Sequence, residues 1–345
     1  MDIGAYIREF KNVLDPFILE YLRKFSLSRA EGARGLYALF MEAGRGGKCI
    51  RGALVKLGYE IAAGRPADEG ILPAAAAFEV FQTGILAHDD IIDKSPLRRG
   101  KDALWRAAAR GDTHYGVSQA ICLGDVGIVL AEGLIAESPF GADRKLEALS
   151  VFREALLKTM DGEMLDVLLS REKNYGDAEG ILRIAELKTA WYTVAGPMRL
   201  GAALAGAPEK SLGELERFGI ALGTAFQIRD DILGVRASES ETGKSGASDI
   251  AEGKVTLLIH HALKNAAPAE RRRLSEIYGR PPVSEEARKT VTDLFESTGA
   301  FSAAERRAEE RVEEAVKRIP ELTRDAGHAE LLRQLSGMML LAGKV

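Results

Sequence analysis

Apolar residues along this chain recur every three to four positions, in runs separated by short polar breaks, and that period predicts helix almost throughout. Period-2 runs of β-branched residues are scarce, and the runs 120–136, 146–169 and 212–235 carry the helical pattern most plainly. The pattern predicts helices over 3–23 and 32–41. The break Ala43-Gly44-Arg45-Gly46-Gly47 then leads into a helix that begins near Cys49 and ends before Gly64-Arg65-Pro66. A long run over 71–94 closes at Ser95-Pro96. Gly176-Asp177 caps a helix carrying Lys188-Thr189, and Gly196-Pro197 inside its pattern predicts a kink. Residues 238–249 are rich in Gly and Ser and lack apolar anchors, as a mobile active-site flap would. From 268 onward the chain is more charged and reads as a solvated amphipathic helix pair packed on the main bundle. The expectation is one all-α domain over 1–345, with no internal repeat.

Composition changes this picture little. The chain is 46% hydrophobic but only 6% aromatic, and its 11 prolines leave long helices uninterrupted. A net charge of −4 argues against nucleic acid as a general partner. Two cysteines, Cys49 and Cys122, are too few for a disulfide framework and point to a reducing, cytoplasmic setting. Met1-Asp2-Ile3-Gly4 lacks the basic region of a signal peptide. No uncharged apolar run approaches the roughly 20 residues a membrane span needs.

Two acidic clusters carry the chemistry: His88-Asp89-Asp90-Ile91-Ile92-Asp93 and Gln227-Ile228-Arg229-Asp230-Asp231-Ile232-Leu233-Gly234. Asp89 and Asp93 are spaced i, i+4, one turn apart on one helix face, with Asp90 pointing about a quarter-turn away. A single such cluster is ordinary on a solvated helix. Here Phe78, Val80, Phe81, Ile85 and Leu86 precede the first, and Ile220, Leu222, Phe226 and Ile228 the second, so these acids end buried helices. Repelling carboxylates there need a cation. Mg²⁺ suits them, because it accepts a few carboxylate oxygens and completes its shell with water and phosphate. Two clusters facing each other would cage a metal-bridged polyphosphate.

Basic residues surround both motifs. Lys48 and Arg51 lie one turn apart near a helix start, where amides add to an anion site. Arg98 and Arg99 are adjacent, so each can address a separate phosphate. Lys188, Lys244 and Lys254 add further charges. Together they suggest two phosphate sites, one through metal and one through direct Lys/Arg contacts.

In order and spacing, Gly47-Lys48-x-x-Arg51, Asp89-Asp90-x-x-Asp93 with Arg98-Arg99-Gly100, Lys188-Thr189, Gln227-x-x-Asp230-Asp231 and Thr242-Gly243-Lys244 resemble the trans-isoprenyl diphosphate synthases. The resemblance runs from about Gly44 to Leu258. It implies an all-α bundle around a deep apolar cavity, usually as a homodimer. It implies condensation of isopentenyl diphosphate with an allylic diphosphate, with about three Mg²⁺ ions per site. Asp89 and Asp93 match the first metal ligands, with Asp90 in support, and Asp230 matches a third-ion ligand with Asp231 beside it. Arg98, Lys188, Thr189, Gln227 and Lys244, with Lys254 close by, match the positions that hold the allylic diphosphate. Lys48, Arg51, Gln82 and Arg99 match those that hold the homoallylic one. Glu163, Asp166, Tyr192 and Asp249 occupy matching polar positions. The resemblance departs at Gly234, where some members have Asp, at Gln82, where many have His, and at the chain end, which lacks a basic cluster.

The implied catalytic residues are Asp89, Asp93, Asp230, Lys188 and Arg98, which would offset charge on the leaving pyrophosphate. No histidine base is needed if pyrophosphate accepts the final proton. His88, His114, His260 and His261 are expected to pack or hydrogen-bond. Phe81, Gly84 and Ile85, eight, five and four residues before Asp89, form the expected chain-length face, with Gly84 leaving room and Phe81 either floor or core. The lean is to geranylgeranyl diphosphate, with farnesyl or longer products open. A terpene cyclase would leave Lys48, Arg51 and Arg99 without a role. A non-catalytic prenyl-binding subunit would be expected to have lost metal ligands.

Overall fold

The computed structural model describes residues 2–173, 175–236 and 247–341. Among them the architecture is helical: α1 (Ile3–Leu27), α2 (Arg34–Gly44), α3 (Ile50–Ala63), α4 (Leu72–Ile92), α5 (Leu104–Ala107), α6 (Thr113–Glu137), α7 (Ala142–Glu172) and α8 (Ala178–Ala185) come first. A π-helical segment (Glu186–Ala195) leads into α9 (Gly196–Ala205), then α10 (Glu209–Arg236), α11 (Ala247–Glu252) and α12 (Leu257–Asn265). The chain continues through α13 (Pro268–Ile277), α14 (Glu285–Ser297), α15 (Ala300–Leu322) and α16 (Ala326–Leu340). The stretch from 268 onward therefore holds four helices and not the expected pair. Gly279 and Gly299, both at positive φ, lie where the first two of them end and break the amphipathic pattern.

Packing divides the chain into two compact units. The first comprises Met1–Glu154, Gly196–Glu216 and Leu322–Leu331, and the second Ala155–Ala195, Arg217–Glu321 and Leu332–Val345.

In the first unit, α1 starts because Asp2 accepts the Ala5 amide at 2.9 Å, and α6 because Asp112 accepts that of Tyr115 at 3.1 Å. α4 is apolar on nearly every side because it is a core helix: Ala74 to Phe78, Val80 and Phe81 are fully covered. It packs on α6 so closely that a Cβ on Gly84 would stand 2.8 Å from the Gly124 carbonyl oxygen and 3.2 Å from Gly127 Cα. Helices 69–92 and 113–137 are long and apolar enough to cross a membrane by length and composition. Each carries an internal acid, Glu79 or Asp125, so neither counted as an uncharged run.

A two-stranded hairpin, β1 (Leu97–Arg98) and β2 (Lys101–Asp102), follows α4, pairing Leu97 with Asp102 and Arg98 with Lys101. Arg99 and Gly100 form its turn with φ of 53° and 73°, the positive values that two-residue hairpin turns require. Helical periodicity gave no sign of it.

In the second unit, the π-helical segment is wider than an α-helix and needs close-fitting neighbours. Glycines supply the room. A Cβ on Gly162 of α7 would overlap the Lys188 backbone, and one on Gly223 of α10 would meet Ala190 Cα at 2.5 Å. The expected irregularity near Gly196-Pro197 is where this segment returns to α-helix.

Candidate active site

In the first unit, the last turn of α4 carries Asp89 and Asp93, both half-buried. The Asp93 amide still donates to the Asp89 carbonyl at 2.8 Å, so the helical spacing expected of the pair holds. Asp90 turns the other way and is only 2% exposed. Its Oδ1 accepts from Arg98 Nε at 2.9 Å and Nη2 at 2.5 Å, and Arg98 Nη2 also reaches Asp89 Oδ2 at 2.8 Å. Asp90, expected in support of the metal ligands, is paired with Arg98. Burial opposes the guanidinium's charge, but hydrogen bonds and charge from Asp90 and Asp89 outweigh it and push its pKa up.

The hairpin sends Arg99 away from Arg98 toward the loop before α3. Arg99 Nη1 donates to the Arg45 carbonyl at 3.2 Å, and its tip lies 3.7 Å from where a Gly47 Cβ would stand. Lys48 beside it is exposed, whereas Arg51 is only 9% exposed. Burial and then the Arg98 charge lower the Arg99 pKa, with Glu79 opposing them. The motifs at 48–51 and 98–99 thus meet in space. Glu79, which sequence reasoning missed, lies among them, while Gln82 is half-buried one turn further along α4. Glu79 is the one charged residue between 71 and 88, and a lone acid in an apolar helix signals a partner.

Gly84 does not leave room for a substrate chain, because its Cα face is filled by the α6 backbone. Phe81 is fully buried in a trio of edge-to-face rings, 6.3 Å from Phe78 and 5.3 Å from Phe152 between centroids. Ile85 is 8% exposed. His88 bonds the Ile121 carbonyl at 3.1 Å, as expected of a packing histidine. His260 and His261 likewise face the carbonyls of Tyr175 and Thr298, at 2.6 and 3.2 Å.

In the second unit, Lys188 Nζ sits 2.8 Å from both Glu163 and Asp166. Thr189 Oγ1 donates to Gln227 Oε1 at 2.5 Å, and Gln227 Nε2 donates to Asp231 Oδ1 at 2.8 Å. Asp230 is exposed and Asp231 half-buried. Burial pushes the Asp231 carboxyl up to about 8, with Asp230 and Asp249 adding to the effect against Gln227 and Lys254. Lys254 pairs with Asp249 at 2.9 Å. The Asp249 carboxylate occupies the space a side chain at Gly234 would fill. Lys244, with most of the expected flap, lies outside the described residues.

Asp231, held neutral chiefly by burial with Asp230 and Asp249 adding to the effect, is a carboxyl whose ionised form a divalent cation would favour. Asp89 and Asp93 offer the oxygen donors that Mg²⁺ prefers.

The polyprenyl synthetase family profile matches residues 36–295. The chain is 34% identical over 301 residues to a geranylfarnesyl diphosphate synthase of Aeropyrum pernix, covering 84% of this chain and 88% of that one. To a geranylgeranyl diphosphate synthase of Mycobacterium tuberculosis it is 32% identical over 287 residues, covering 82% and 77%. Its fold matches the crystal structure of a geranylgeranyl pyrophosphate synthase from Corynebacterium glutamicum complexed with isoprenyl diphosphate and magnesium. There the TM-score is 0.91 and the identity 29%, over 99% of each chain.

Proposed function

The chain belongs to the polyprenyl synthetase family and is a trans-prenyltransferase, and from that premise we propose the substrates, residue roles and product of its reaction. It condenses isopentenyl diphosphate with an allylic diphosphate head to tail. The observation that supports this reading most directly is the approach of Arg99 to Gly47 and to the charge of Arg51, beside Lys48 in sequence, at the start of α3. A terpene cyclase would have no second diphosphate for that cluster to bind.

Asp89 and Asp93 on α4 and Asp230 on α10 are the proposed metal ligands, with Asp231 beside Asp230. Mg²⁺ held there, three ions by the family pattern, would supply positive charge opposite the leaving pyrophosphate. Arg98, Lys188, Thr189, Gln227, Lys254 and Lys244 hold the allylic diphosphate and offset the charge that develops on it. Lys188 would give up its carboxylate partners for the phosphate, so Glu163 and Asp166 keep it poised. Lys48, Arg51, Gln82 and Arg99 hold isopentenyl diphosphate, whose double bond attacks the allylic carbon and extends the chain by one five-carbon unit. The departed pyrophosphate takes the proton lost at the end, which fits histidines engaged with backbone carbonyls. Water must be kept from the allylic cation.

Geranylgeranyl diphosphate is the proposed product, in keeping with relatives that make geranylgeranyl and geranylfarnesyl diphosphates. We also propose that 1–345 acts as one catalytic domain, since the family match draws on both units. A cytoplasmic setting, in keeping with two free cysteines, and the homodimer usual in the family complete the reading.

The test is to supply purified protein and Mg²⁺ with isopentenyl diphosphate and, in turn, dimethylallyl, geranyl or farnesyl diphosphate. Mass spectrometry should find elongated diphosphates ending at twenty carbons. Hydrocarbons or alcohols formed without isopentenyl incorporation would establish a cyclase. No turnover by folded protein would indicate a binding subunit.

A further inference from the structure

We propose that Glu79 is the positioning residue of the homoallylic diphosphate site: it caps the helix that carries Arg51 and holds Arg51 and Arg99 together before substrate arrives. The inference rests on the assignment of Lys48, Arg51 and Arg99 to isopentenyl diphosphate.

The first observation is a helix start that cannot cap itself. Cys49, at the N-cap of α3, is left-handed with φ 54° and ψ 34°, and it makes no side-chain capping bond. Its thiol points elsewhere, donating to Asp15 at 2.9 Å. The first-turn amides of α3 therefore need an outside acceptor. Glu79 Oε1, 27 positions away on α4, accepts the Gly52 amide at 2.9 Å. A carboxylate there also meets the positive end of the helix dipole.

The second observation is electrostatic. Arg98, Arg99 and Arg51 crowd one region, and Arg98 and Arg51 each depress the Arg99 pKa while Glu79 raises it. Burial pushes the Glu79 carboxyl up, and Arg51, Gly52 and Arg99 pull it back, in that order. Glu79 thus places a carboxyl that interacts favourably with both arginines beside the Gly52 amide it caps, before a diphosphate is there. Preorganised donors hold an anion better than donors that must be gathered.

Position along α4 makes the effect selective. Glu79 precedes Asp89 by ten residues, or about 15 Å of helix rise. Its loss should reach the homoallylic site and spare the acidic end.

Steady-state kinetics on the full chain test this, with each substrate varied against saturating partner. Glu79→Ala should raise KM for isopentenyl diphosphate on the order of tenfold. KM for the allylic substrate and kcat at saturation should stay within about twofold. Glu79→Gln keeps the acceptor for Gly52 and loses only the charge, so it should fall between wild type and Ala. It carries the test alone if the Ala variant does not fold. Arg51→Ala run in parallel separates the two levels of inference. Equal changes in both KM values, or none, while Arg51→Ala raises KM for isopentenyl diphosphate, would overturn the role of Glu79. An unchanged isopentenyl KM in Arg51→Ala would overturn the underlying site assignment.

Discussion

Asp90 and Arg98 form a fork-shaped ion pair across the turn that ends α4, with Oδ1 of the aspartate taking both Nε and Nη2 of the arginine. The middle acid of the first motif thereby holds a protein cation, the arginine that also touches Asp89. Asp90→Ala should leave that guanidinium without its main partner and destabilise the protein by about 3 kcal/mol. Chemical denaturation measures this, and a loss within error of zero would mean Arg98 is anchored elsewhere.

Asp89 and Asp230 are the acids whose removal should matter most for chemistry. Asp89→Ala or Asp230→Ala is expected to lower kcat by about 100-fold or more, on the order of 2.7 kcal/mol of barrier. Near-normal turnover in either variant would remove that residue from the metal set.

Asp231 gives a pH signature in metal-free protein. Its folded-state pKa, pushed up to about 8 by burial, exceeds the ordinary aspartate value of 3.8. Unfolded protein therefore releases this proton first as pH rises. Stability falls from about pH 4 to pH 8 and is not lost further above that window. Asp231→Asn should raise the melting temperature of chelator-treated protein at pH 7 by about 2 °C or more, and leave it unchanged near pH 3.5. Added Mg²⁺ should stabilise wild type more than this variant.

Gly84 and Phe81 separate packing from chain-length control. Gly84→Ala drives a methyl group toward the Gly124 carbonyl and should cost about 1–3 kcal/mol without shortening the product. Phe81→Ala opens a hole in the three-ring cluster, at about 3–5 kcal/mol. If Phe81 is the floor of the elongation path, that variant also makes longer diphosphates. An unchanged distribution by mass spectrometry would leave Phe81 a core residue only.

Periodicity and spacing alone determined the helical class, the extents of α3, α4 and α10 to within a few residues, and both acidic motifs with their basic companions. These are local properties: a 3.6-residue repeat and an i, i+4 pair are set by neighbours along the chain. Partnership across distance was decided by the tertiary structure. Nothing near Asp90 in sequence says that Arg98 will fold back onto it through a hairpin, or that Glu79 will cap a helix starting 29 residues earlier. Gly84 looked like space for a substrate and proved to be where a second helix backbone presses in, because a missing side chain can be filled from either side. The π-helical turn around Lys188 depends in the same way on glycines of α7 and α10, so only packing reveals why that lysine meets Glu163 and Asp166.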